Sequence, residues 1–461
     1  MENRKPIRLT MLVLLLGIML TGYGGMCSKS KSHDTKNPTT SGSSVAQVAF
    51  VTDAGALQVV PLAGGTPTTL VDSGVVNCRI TKDATEVVYK TDTNDLNVIP
   101  IGGGITTSLD TDVDWFEISA NSAKVVYVPA NGTDDLMVVP IGGGITTTLG
   151  TDISDFKISA DSTKVFYVDN FDTVNDTGDL NVVPIGGGAP TLLAGDVYDF
   201  EISANSAKVV YIDNYNTVNL TGDLNVIPIG GGASTLLDTD VSWFQVSANS
   251  AKVVYMDNYD TVNFIGDLNV IPIGGGVATT LLTGVFDFGI TDDSTKVLYA
   301  ENYVPADNTC DVNVIPIGGG ITTSLAADVY DMKLSADSSK MVYMDNYDAV
   351  NGTGDLNVIT ISTGITASLV ADVAPYIFEI SANSAKVVYF DNYDAVNFIG
   401  DLNVILITGG APTLLSTDVT GMDDSGEDAF DLTSMMGKMM TGNYIKGNGT
   451  AGHKRKGKHS K

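Results

Sequence analysis

Histidine is nearly missing from this sequence. The 461 residues include three, His33, His453 and His459, all near the two ends. The long middle has no imidazole, which excludes His-based acid–base chemistry and Ser-His-Asp triads there. Arginine is almost as scarce: Arg4, Arg8, Arg79 and Arg455 are the full set, and only Arg79 falls in the middle. A sialidase-type arginine cluster is therefore excluded. Positive charge in general is short, with 25 Lys and Arg against 54 Asp and Glu, a net charge of −29. Nucleic acid needs a basic surface and is not an expected partner. Cations and basic partners are compatible with this charge. Cysteine is limited to Cys27, Cys78 and Cys310. Cys78 stands where other repeats carry a core Phe or Met, and Cys310 reads as a loop residue. No disulfide is expected between such different places, although export would permit one.

Long apolar runs are also missing, with one exception. Arg4, Lys5 and Arg8 precede "LTMLVLLLGIMLTG", whose 14 residues are short for a membrane span and read as an export signal. "YGGMCSKSKSHDTKNPTTSGSS" follows. A cysteine just after the apolar core, ahead of a polar tether, resembles a bacterial lipoprotein start, which implies a lipid on Cys27. Ordinary cleavage near Gly22-Tyr23-Gly24, giving a periplasmic or secreted soluble protein, is the alternative. The expected organisation is a signal over 1–26, a tether over 27–44, a repeat domain over 45–432 and a basic tail over 433–461. That tail carries Lys454, Arg455, Lys456, Lys458 and Lys461.

What is present is a repeat. "IPIGGG" and its variants occur nine times, with the proline or its equivalent at Pro61, Pro100, Pro140, Pro184, Pro228, Pro272, Pro316, Thr360 and Leu406. These markers number the units one to nine. A period near 44 residues is the signature of a solenoid or propeller. Each unit supplies four strands, of the types "FEISA", "KVVYMDN", "DLNVIPI" and "TTSL" or "PTLL", and no segment of any length has a helical period. Four short antiparallel strands per repeat make a propeller blade. Proline late in the third strand implies a short fourth strand that leaves the proline's far side unpaired.

"SANSAKVVY" and "DLNVIPIGGG" resemble the repeat of TolB-like (WD40-like) β-propellers, of the exported bacterial lipoprotein type. The resemblance covers residues 45 to 432 and departs in the "SANS" turn and in the acidic stretch "DNYDTVN". It implies an all-β fold, a single large propeller, and no particular activity. The first unit begins at its second strand. "STDVTGMDDSGEDAF" looks like a worn copy of a crossover and first strand, so the C-terminal segment is expected to complete the first blade. The expectation is nine blades, with eight and a leftover unit as the alternative.

In such a meander the "SANSAK" and "GGG" turns share one face. The acidic stretches and "DTDV" crossovers share the other. The crossovers contribute Asp112, Asp152, Asp196, Asp240, Asp328, Asp372 and Asp418. The acidic stretches contribute Asp169, Asp172, Asp179, Asp213, Asp223, Asp257, Asp260, Asp267, Asp345, Asp348, Asp355, Asp391, Asp394 and Asp401. Two readings stay open for the latter: calcium ligands or partner contacts, and Asx-type turns with a solubilising charge. Tyr215, Tyr259, Tyr347, Tyr393 and Phe171 recur among them, either packing on a neighbouring blade or lining a sugar or peptide site. After the core residue of each first strand come Arg79, Glu117, Lys157, Glu201, Gln245, Gly289, Lys333 and Glu379, which should line the central channel. Their near-alternating signs point to interblade salt bridges; a polar ligand channel is the other reading. The triple glycine lacks the Lys-Ser/Thr of a phosphate loop and reads as a turn.

The functional expectation is a non-enzymatic envelope scaffold, lipid-anchored and monomeric, presenting its acidic face to a protein or other envelope component. It touches the membrane only through the N-terminal lipid. The alternatives are a structural surface protein with calcium-ordered loops and no fixed ligand, or a hydrolase or lyase using carboxylates alone.

Overall fold

The computed structural model describes residues 46–348, 352–374, 378–394 and 399–424; the expected export signal, Cys27 and the basic tail lie outside the described residues. All regular structure among them is β-strand, arranged as an all-β propeller. Unit 6 shows the pattern. Trp243–Val246, Lys252–Asp260, Ile265–Pro272 and Thr279–Val285 follow one another as an antiparallel meander. Val253, Val254, Tyr255 and Met256 are all buried, because both sides of the second strand face a neighbouring sheet. That explains a continuous β-branched and aromatic run in place of strict alternation.

Seven sheets have four strands, and an eighth has seven. In the larger sheet one twelve-residue strand, Thr413–Asp424, serves two units. Its first part pairs with the third strand of unit 9, from Val404↔Thr413 to Gly400↔Val419. Its second part pairs with Gln47–Thr52, from Thr52↔Val419 to Val48↔Asp424. The buried apolar residues fall into clusters that each join two consecutive units. One joins Phe390, Leu402 and Val404 of unit 9 to Val48, Phe50 and Val60 of unit 1.

The "SANSA" turn ties neighbours together. Ser247 Oγ accepts from the N–H groups of Ala251 and Lys252 at 3.2 and 2.9 Å and donates to Asn249 Oδ1 at 2.8 Å. Asn249 N–H then reaches Ser294 Oγ of the next unit at 2.9 Å. Lys124, Lys164, Lys208, Lys252 and Lys386, each ending such a turn, donate to a carbonyl in the next unit's glycine turn. Lys124 reaches Ile185 O at 3.0 Å, and Lys386 reaches Leu62 O, across 324 residues of chain, at 2.6 Å.

The fourth strand corrects the expectation from the proline in part. It is short, at four residues, in units 1 to 3, but it runs seven residues in units 4 to 7. Its pairing simply begins beyond the proline, at Val270↔Thr279 in unit 6. Unit 8 has Thr360 and a single turn glycine, and there the ladder extends to Thr360↔Ile365. Unit 9 also lacks the proline but keeps Gly409 and Gly410 at φ 85° and 136°, and its ladder stops at Val404↔Thr413. The glycine pair, held in a conformation open to little else, sets where the fourth strand starts.

Cys310 is a second correction. It is not in a loop but buried in the strand Thr309–Pro316. Units 4, 5, 6, 8 and 9 have glycine there. A Cβ on Gly266 would meet Met256 Cγ and, at 2.7 Å, Asp257 O. Unit 7 has Ala300 where unit 6 has Met256, so the smaller neighbour makes room for the thiol. Gly266→Ala is expected to cost about 1–3 kcal/mol by overpacking. Adding Met256→Ala should recover part of that loss in a denaturant melt. If the single variant melts like the parent, this steric account fails.

Candidate functional site

The acidic stretch is mostly strand, and the loop itself is only four residues long. In unit 6 the second strand continues to Asp260 and the third begins at Ile265. Phe264 N–H closes the turn on Asp260 O at 2.7 Å. Asp260 Oδ1 accepts from Val262 N–H at 2.8 Å, and its Oδ2 from Asn263 Nδ2 at 2.7 Å. Asp172 does the same with Val174 and Asn175, both at 2.8 Å. These are Asx turns. The backbone donors of Val174 and Val262 hold both carboxyls below their ordinary value.

The register places carboxylates directly across from one another. The pairs are Asp169↔Asp179, Asp213↔Asp223, Asp257↔Asp267, Glu301↔Asp311, Asp345↔Asp355 and Asp391↔Asp401. Like charges in this position repel. Two amides per unit soften the repulsion. Asn214, in the left-handed region at φ 50°, donates through Nδ2 to Asp223 Oδ2 at 2.9 Å and Asp213 Oδ1 at 3.3 Å. Asn225, buried in the third strand, donates to Asp213 Oδ1 at 3.0 Å. The same geometry recurs at Asn170 with Asn181, Asn346 with Asn357, and Asn392 with Asn403. The third-strand asparagine was the functional residue overlooked in the sequence, although "DLN" in unit after unit was the signal.

The crossovers reach the same face. Asp152, Asp196, Asp240, Asp328, Asp372 and Asp418 all adopt left-handed φ values between 53° and 57°, and Gly284 takes the equivalent place with φ 72°. That conformation selects Asp or Gly. Asp196→Gly should therefore leave the melting transition almost unchanged, whereas Asp196→Val should cost about 1–2 kcal/mol. Equal losses in the two variants would mean the carboxylate, not the backbone, is what the position requires.

Burial, then Asp223 and Asp196, push Asp213 up to about 6. Burial is also the leading cause that raises Asp169, Asp257, Asp345 and Asp391, with the facing or crossover aspartates adding to it. A raised carboxyl binds protons more tightly folded than unfolded. Stability should then increase as pH falls from above about 6 toward the ordinary value of 3.8. Burial also raises the turn residues Asp83, Asp161, Asp293 and Asp337, but hydroxyl and backbone donors outweigh it and hold them low. Their contribution is lost below 3.8 as they protonate. Thermal melts at constant ionic strength should show a maximum at mildly acidic pH, and a maximum at neutral pH would contradict the carboxylate pairing.

Among the described residues no group of three or more His, Cys, Asp or Glu is placed to hold a metal ion. The aromatics are drawn into packing. Tyr215 stacks on Tyr198 at 3.5 Å and Tyr347 on Tyr330 at 3.8 Å. Tyr259, Tyr393 and Phe171 lie against the clusters between units. Asp348, Asp355, Asp394 and Asp401 sit at the positions their repeat equivalents predict.

The ring of first-strand residues is stitched rather than open. Lys333 Nζ bonds Glu379 Oε1 of the next unit at 2.6 Å. Lys157 lies 3.9 Å from Asp199, donates to Phe200 O and sits over the Phe200 ring. Arg79 lies over the Phe116 ring at 5.4 Å. Glu201 and Gln245 accept from the backbone N–H of Val246 and Ile290, at 2.6 and 2.7 Å. Salt bridges were expected throughout this ring. Backbone capping and cation–ring contacts take part of that role, because each side chain first meets the next unit's inner strand.

No protein-family model and no curated protein sequence matches the chain. Among solved structures it is similar to one described as a eukaryotic initiation factor, at 11% identity over 84% of this chain and 100% of that one, with a TM-score of 0.64. A dihydro-heme d1 dehydrogenase aligns at 10% identity over 71% of this chain and 73% of its own, with a TM-score of 0.47. An oligogalacturonate lyase from Vibrio parahaemolyticus aligns at 13% identity over 73% and 95%, with a TM-score of 0.43. At such identities the first likeness concerns the fold, and the other two carry no argument.

Proposed function

We propose that this chain is a non-enzymatic scaffold of the bacterial cell envelope. In this reading it is a nine-bladed, TolB-like propeller completed by the strand Thr413–Asp424 and anchored through Cys27. Its acidic face docks a basic protein partner. The observation that carries the reading is the row of facing carboxylate pairs repeated from unit 4 to unit 9. The fold maintains this charge at a cost, as the raised carboxyls show, so a binding role explains what a simple turn does not. Among the described residues the paired carboxylates recur evenly from unit 4 to unit 9, which supports a repeated surface over a single elaborated site.

The test uses the full chain and a polylysine probe. Replacing Asp179, Asp223, Asp267, Asp355 and Asp401 by Asn should weaken binding at least about tenfold at low salt, in line with electrostatic steering and its loss on screening. Cross-linking in envelopes should then recover a basic protein with the parent and not with the variant. Unchanged polylysine affinity would sink the acidic-face reading.

A further inference from the structure

The opposite face of the propeller differs in character. There the glycine turns and the "SANSAK" turns are adjacent: Ile273 N–H bonds Ala251 O at 3.0 Å, and Ile317 N–H bonds Thr295 O at 2.9 Å. The residue after each glycine pair is thrown outward. Ile105, Ile145, Val277 and Ile321 are 88–90% exposed, and Ile365 is 67% exposed. They recur at one structural position on one face in five units, a position that units 1, 4, 5 and 9 fill with Thr66, Ala189, Ala233 and Ala411. Lysines ring the same face. Carboxylates such as Asp161 and Asp293 stand among them and keep their charge, since turn hydroxyls and N–H groups hold them low, but the lysines of these turns outnumber them.

Both ends of the described chain arrive on this face. Ala46 O accepts from Leu62 N–H in the first glycine turn at 2.7 Å, and Asp424 pairs with Val48, two residues away. The sequence before Ala46 leads back through the tether to Cys27, the proposed lipid site. Beyond Asp424 come Glu427, Asp428 and Asp431, and then seven Lys and Arg with no acid from residue 432 to 461. Exposed apolar tips, lysines and both ends of the described chain therefore lie on one side.

We propose that this face docks on an anionic phospholipid surface, its isoleucine and valine tips entering the interface and the acidic face pointing away. Combining modest apolar burial with basic segments is how peripheral proteins hold a charged bilayer. The far side has exposed tips as well, at Val174, Val218 and Val262, but each sits in an acidic hairpin that an anionic surface repels. The inference rests on the reading of the chain as membrane-held. It adds which face meets the lipid.

The test places tryptophan at one tip on either face of the full chain: Ile321→Trp or Val262→Trp. Each variant is bound to vesicles of phosphatidylglycerol and phosphatidylcholine carrying bromine near the top of the acyl chains. The tryptophan at 321 should shift to the blue and lose most of its emission, while the one at 262 should not. Backbone hydrogen exchange of the unsubstituted chain provides a second measurement. Residues 317–322 should slow on adding vesicles and residues 261–264 should not. If the chain stays on the vesicles but neither position responds, or the one at 262 does, the docking face is wrong and the anchored reading survives. If the chain does not associate with vesicles at all, both fall.

Discussion

Removing residues 419–461 should unfold unit 1 or the whole propeller, whereas removing only 425–461 should leave the melting transition in place. The difference is the second half of the strand Thr413–Asp424, which supplies the pairing partner of Gln47–Thr52. Five partnered positions run from Val48 to Thr52. At about 1 kcal/mol net per backbone hydrogen bond, with the neighbouring apolar cluster exposed as well, the loss reaches about 5 kcal/mol or more. That is comparable with the whole stability of an ordinary domain, about 5–15 kcal/mol. Melts of both truncations, with exchange of the 47–61 amides, provide the measurement. Identical melts would mean that the two ends are held together by something other than this strand.

The second large effect is expected at Lys333. Its side chain is 1% exposed and bonded at 2.6 Å to Glu379, itself 17% exposed. A lysine in that position is costly to desolvate, and its ammonium is met by Glu379 and by the Phe378 ring at 5.5 Å. Breaking a buried pair by removing one partner costs about 3–5 kcal/mol, whereas replacing both with apolar residues is often neutral. Lys333→Met alone should therefore be strongly destabilising, and Lys333→Met with Glu379→Met should recover most of the loss. An additive double-mutant cycle in chemical denaturation would show that the two side chains do not act as a pair.

The repeat period, the strand types, the grouping of turns by face and the acidic end were legible in the sequence. Each follows from local rules: β-branched runs alternate with residues that favour particular dihedrals, and a meander must send alternate turns to opposite ends. Glycine pairs such as Gly275-Gly276 and left-handed aspartates such as Asp196 could be recognised because a single residue's backbone conformation dictates them.

The tertiary structure decided what depends on register and on residues far apart in the chain. "DNYDTVNFIGDLN" names its carboxylates, but only the cross-strand register sets Asp257 opposite Asp267. Cys310 looks like a loop residue until Ala300, on the adjacent strand, is seen to leave room for it. Lys333 and Glu379 are 46 residues apart and meet only because successive inner strands lie side by side. Lys386 caps Leu62 across 324 residues, and Ala46 and Asp424 emerge together. Sequence fixes what each unit prefers locally. Which side chains face one another across a sheet or between sheets depends on packing the units together, since burial and pairing free energies exist only once both partners are in place.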